Sequence, residues 1–180
     1  MSVTHRYQDL IDIFNRCFLA SHNTVLVRGS DEPIYLPANH ERPQNEIQFA
    51  HGFYASALHE CAHWLIAGSK RRTQVDFGYW YEPDGRTAQQ QKEFEKVEVK
   101  PQAIEWILSC AAGHRFRVSV DNLNGEATDS QPFKLAVFQQ VQHYVEQGLP
   151  QRAATLRLAL CEFYGTPSSL QISQFNLNRI

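Results

Sequence analysis

The chain is short of the features that would place it in several large functional classes. No two of its four cysteines form a Cys-x-x-Cys pair, which argues against a thiolate zinc site. Cys17, Cys61, Cys110 and Cys161 each lie in an apolar helical context and read as small core residues. No glycine-rich phosphate loop and no Gly-x-Ser-x-Gly elbow occurs, so neither nucleotide binding nor serine-hydrolase chemistry is signalled. There is no run of 18 apolar residues, and the opening Met-Ser-Val-Thr-His-Arg-Tyr has no apolar stretch behind it. A reduced, cytoplasmic protein with no signal peptide and no membrane partner is expected. A formal net charge of −2 gives no basic excess for general nucleic-acid binding. Internal repeats, low-complexity segments and linkers are absent as well. At 180 residues, one domain over 1–180 with a sizeable core is expected, with the tail from about 166 more loosely packed.

What the chain does contain centres on His59-Glu60-Cys61-Ala62-His63. Histidines four apart on a helix share a face, one turn above the other, and can close on one metal ion. The pattern is the H-E-x-x-H signature. Leu58, Ala62, Leu65 and Ile66 form an apolar stripe at helical spacing, with Gly68 placed to follow the last turn. The helix is expected over about Tyr54 to Ala67. Ser69-Lys70-Arg71-Arg72 follows as the one tight basic cluster, either a solvated helix end or a docking patch.

Around it the periodicities alternate between helix and strand. Thr4 can cap a first helix to about Ala20, with Tyr7, Leu10, Ile11, Phe14 and Phe18 facing the core. Strands are expected at 24–28, 34–37, 45–50, 75–81 and 115–121. A polar helix from Thr87 to about Val97 and a second helix starting near Lys100 are expected, because Pro101 suits a first turn and not an interior. Ser130, with Pro132 behind it, signals a helix ended by Gly148, and a last helix over 151–164 stops at Gly165. The fold class this implies is α+β, with helices on a small mixed sheet and the metal helix in the middle.

Two histidines want a third ligand. Two histidines plus a carboxylate suit catalytic zinc and equally suit non-haem iron(II). Glu98 is favoured because Val97 and Val99 flank it, and Asp76 and Glu105 are the alternatives. Glu60 would be the general base if the site were a zinc metallopeptidase, or an acceptor orienting a ligand or substrate amine if it were an oxygenase. From the motif alone, the peptidase leads.

Longer blocks change that order. His51-Gly52-Phe53-Tyr54-Ala55-Ser56-Ala57, His59-Glu60, His63-Trp64, Val75 to Tyr81, Pro83-Asp84-Gly85-Arg86 and Val97 to Ala103 resemble the elongation factor P hydroxylase family, as do Asp31 to Ala38 and Asp121-Asn122-Leu123. The resemblance covers nearly the whole chain and is weakest after Leu149. It implies an oxygen-dependent hydroxylase of the proteobacterial cytoplasm acting on the β-lysyl-modified lysine of elongation factor P. It also implies a two-histidine, one-carboxylate iron(II) site without 2-oxoglutarate, with His59, His63 and Glu98 as ligands. A long cationic substrate arm suits an aromatic channel with an acid in it, for which Glu60, Asp76, Tyr79 and Tyr81 are candidates. Lys70, Arg71 and Arg72 are candidates to meet an acidic face of the factor.

Overall fold

The structure, a computed structural model, describes residues 4–77, 85–120 and 129–180. Among these, five α-helices pack on a three-stranded mixed sheet: α1 (Tyr7–His22), β1 (Thr24–Arg28), β2 (Ile34–Leu36), β3 (Asn45–Phe49), α2 (Tyr54–Ile66), α3 (Ala88–Ala111), α4 (Gln131–Gln147) and α5 (Gln151–Tyr164). The α+β architecture is the one expected from the sequence. No helix of the described residues is long and apolar enough to cross a membrane.

β3 is the middle strand, parallel to β1 and antiparallel to β2. Leu26 of β1 and Ile47 of β3 are register partners, and both are buried. α1 turns Leu10, Ile13, Phe14 and Phe18 into the core. It starts after Arg6 with no side-chain cap, so Thr4 does not cap it; Arg6 instead pairs with Asp9 in the first turn. Asn23 ends it in the left-handed conformation that asparagine tolerates, and β1 begins at the next residue.

α2 runs through the middle of the molecule, against β3, α1, α3 and α5. Leu58, Ala62 and Leu65 are buried as expected, and Ala57, Cys61 and Trp64 join them. A helix apolar on so much of its surface must be enclosed, and the face left over carries His59, Glu60 and His63.

α3 departs from expectation. It is one helix of 24 residues with Pro101 inside it, not two helices meeting near Lys100. A proline in a helix interior costs about 3 kcal/mol. Past Pro101, however, Ile104, Ile107 and Leu108 are all buried, each worth about 1.5–3 kcal/mol. That burial outweighs the lost bond. The N-terminus is fixed by a capping box, in which Thr87 accepts from the Gln90 backbone and the Gln90 side chain accepts from the Thr87 backbone.

The expected strand at 115–121 is also not a strand over its described part. Its backbone partners are side chains. Gln102 donates to Ser119 O and accepts from Ser119 N, and Arg86 and Gln91 both donate to Val120 O. Of the expected strand at 75–81, Asp76 forms one isolated bridge to Tyr35, and residues 78–81 lie outside the described residues. At α4, Ser130 occupies the cap position without a side-chain cap bond; Asp129 accepts from Gln131 N instead. The segment after Gly165 is tied down. Arg157 donates to Ser168 O and Ser169 O, Thr166 donates to Ala111 O, and Phe175 is buried against Trp106.

Candidate metal centre

Two helices supply the polar cluster. α2 presents His59 and His63 one turn apart, and α3 brings Glu98 against them. His59 Nε2 and His63 Nε2 are 3.0 Å apart. Glu98 Oε1 lies 3.2 Å from His63 Nε2, and Glu98 Oε2 lies 3.6 Å from His59 Nε2. Ligands held about 2.1 Å from one ion sit about 3.0–3.4 Å from each other, so the donor set fits a single ion. Among the described residues it is the one group of three or more potential ligands that converges this way. Two imidazole nitrogens this close to each other and to a carboxylate need a cation between them, either a proton or a metal ion.

The supporting contacts lie on the same α3 face. Glu105, two turns beyond Glu98, accepts at 2.8 Å from His59 Nδ1. That bond puts the ring proton on Nδ1 and leaves Nε2 for a ligand role. Gln102, one turn beyond Glu98, is 3.4 Å from Glu98 Oε2. Spacings of four and seven residues keep all three on one side of the helix.

The electrostatics follow from this packing. Burial alone would strip the proton from His59, but Glu105, Glu98 and Glu60 outweigh it and hold the imidazolium up to about 10 in the metal-free protein. Burial would push the Glu98 carboxyl up, yet the contact with His63, then His59 and Gln102, brings it down to about 2. Burial raises Glu60; the two histidines pull it back and the two other carboxylates add to the rise.

His59, Glu60, Glu98 and Glu105 line a cleft of about 440 Å³, while His63 lies behind it. Asp31, Pro33, His51, Ala55 and Ser56 also line it, as do Arg86, Phe94, Arg117 and Ser119. His51 holds a left-handed backbone (φ 58°), uncommon for a residue with a side chain, and its ring faces that of Phe53 at 6.1 Å. Glu60 lines this cleft and also a small cavity of about 30 Å³ that it shares with His63, Tyr35, Trp64, Arg72 and Asp76.

The structure thus gathers His59, Glu60, His63 and Glu98, and it brings in Glu105 as a partner of His59. Asp76 lines the small cavity beside Glu60 and His63, but its carboxylate pairs with Arg71 through both oxygens and does not join the ligand set. Arg72 lies over the Trp64 ring at 5.9 Å, and Lys70 is exposed. Tyr79 and Tyr81 lie outside the described residues. Glu98 does not owe its burial to the flanking valines. Val97 is 51% exposed while Glu98 is 2% exposed, because adjacent residues on a helix face different ways. Sequence reasoning missed Gln102, Arg86 and the cleft wall at Asp31, Ser56 and Arg117. For Gln102 a signal existed: reading α3 as continuous places it between Glu98 and Glu105 on one face.

Comparison with known proteins bears on what this site does. The family model described as elongation factor P hydroxylase matches residues 13–175. A Haemophilus influenzae protein named elongation factor P lysine hydroxylase is 60% identical over 176 residues, covering 98% of this chain and 99% of that protein.

Proposed function

The chain belongs to the elongation factor P hydroxylase family, and from that premise we propose that it hydroxylates a lysine of elongation factor P already extended by a β-lysyl group, using dioxygen and an iron(II) ion held by His59, His63 and Glu98. The observation that carries the metal assignment is the convergence of two imidazoles and one carboxylate, with His59 and Glu98 lining an open cleft. Iron(II) in such a facial set supplies activation of dioxygen, a reaction outside the reach of the side chains present.

The chain's own residues prepare the site. Glu105 fixes the His59 ring so that Nε2 faces the ion. Gln102 donates to Glu98 and holds its carboxylate in place. Glu60 faces the cleft next to the ligands, where its carboxylate receives the ammonium of the lysyl arm and orients the carbon to be hydroxylated. Phe94 gives that arm an apolar wall. The reaction belongs in the cytoplasm, in keeping with four unpaired cysteines, and needs no 2-oxoglutarate. The zinc peptidase reading of the same motif draws no support from the family model or from the Haemophilus influenzae relative, both described as hydroxylases.

The test is the intact mass of β-lysylated elongation factor P after incubation with the protein, iron(II), a reductant and air, with 2-oxoglutarate left out. His59→Ala protein runs alongside. A gain of one oxygen atom with the wild type alone is expected. No gain from folded, iron-loaded wild type would end the hydroxylase reading and return the peptidase to first place.

A further inference from the structure

A second charged feature adjoins the cleft. Arg115 and Arg117 are exposed on either side of buried Phe116, whose ring stacks on Trp106 at 5.4 Å. Across a shallow groove of about 390 Å³ stand Lys134 of α4 and Arg179 of the last short turn. Among the described residues, no aspartate or glutamate lines this groove, and no aromatic side chain does. Among the described residues, none of these four cations takes part in an ion pair. Four unpaired cations round one groove repel one another and create a local positive potential on a chain whose net charge is −2.

The groove adjoins the metal cleft, because Arg117 lines both. The segment that carries Arg115 and Arg117 is anchored at Ser119 by Gln102, the residue that also bonds Glu98. The basic surface is therefore held in fixed relation to the metal ligands.

We propose that this groove docks an acidic face of the protein substrate and thereby delivers the acceptor lysine into the cleft past Arg117. The inference rests on the function proposed above. Charge selects an anionic partner, and adjacency to the cleft through Arg117 makes that partner the substrate. A nucleic acid fits less well, since single strands bind on aromatic stacking platforms and the groove has none.

The test uses the full chain with Arg115→Glu, Lys134→Glu and Arg179→Glu combined, leaving Arg117 intact because it lines the cleft. Binding of β-lysylated elongation factor P is titrated at low and high salt, and turnover is measured on a short peptide carrying the same modified lysine. Reversal of exposed interface charges acts through long-range attraction, so affinity for the whole factor falls by about tenfold or more at low salt and the gap narrows at high salt. Peptide turnover and the unfolding midpoint stay at wild-type values. Should the triple variant not fold, Lys134→Glu and Arg179→Glu are measured singly, each expected to weaken binding by about threefold. Equal affinity of variant and wild type at low salt would overturn the proposal. So would an equal loss on the peptide, or wild type that binds an oligonucleotide as tightly as the factor. Wild type that binds the factor through these residues yet leaves it unmodified would remove the proposed reaction and keep the docking surface.

Discussion

Raising the pH is expected to tighten metal binding, by an amount the site geometry sets. In the metal-free protein the His59 imidazolium is held up to about 10 by its 2.8 Å contact with Glu105 and by Glu98 and Glu60. An ion can take Nε2 only after that proton leaves. Glu98, held at about 2, has no proton to lose at neutral pH. One proton per ion is therefore released, and affinity rises about tenfold, or about 1.4 kcal/mol, for each pH unit between about 7 and 9. Manganese(II) is a redox-stable probe, titrated calorimetrically in buffers of different ionisation enthalpy to count the protons. Glu105→Gln keeps an acceptor for His59 Nδ1 but removes the charge, so its slope should flatten above about pH 7, nearer the ordinary histidine value. The same linkage acts on folding. A raised pKa gives stability that is complete below the unfolded value of about 6.5 and is lost as pH rises toward 10, so the metal-free protein weakens through that window. A pH-independent affinity above pH 7 with no proton release would refute the arrangement of His59 between Glu105 and the ion.

Three other outcomes follow from the packing. Leu108→Ala opens a cavity in the fully buried part of α3 and should cost about 2–5 kcal/mol in denaturant unfolding. Gln102→Ala releases both Glu98 and Ser119; metal affinity should drop about 10–100-fold, and amide exchange at Ser119 should quicken without global unfolding. Burial, with the nearby His5 charge, lowers the pKa of His114, so its stabilising contribution is present above the unfolded value and lost as pH falls below about 6.5. His114→Asn should remove that part of the acid sensitivity of the melting temperature, and an unchanged acid limb would exclude the assignment.

What could be read from the sequence was whatever rests on local period. The apolar stripes of α1 and α2 and the β-branched run at 24–28 point to elements that the structure contains. The two histidines were legible because four-residue spacing is itself a statement about geometry. Pro101 misled, since its cost is local while the burial of Ile104, Ile107 and Leu108 that offsets it is tertiary. Segment 115–120 misled for a related reason. Its alternation is real, with Phe116 buried between two exposed arginines, but side chains of α3 and its flank replace a neighbouring strand. The cleft wall at Asp31, Ser56 and Arg117 comes from three separate parts of the chain, and no spacing rule joins them.

The ligand set has a consequence for the order of events during synthesis. His59 and His63 leave the ribosome together, but Glu98 follows His63 by 35 residues and Glu105 comes later still. A nascent chain that has exposed only His59-Glu60-Cys61-Ala62-His63 offers an ion the two imidazoles without the Glu98 carboxylate. The full centre exists only once α3 has been made and has laid its Glu98 face against α2, by which point Leu108 and its neighbours can close the core. If these residues hold an ion as proposed, loading is a late step, and a chain that holds its ion tightly has already been proofread for the docking of these two helices.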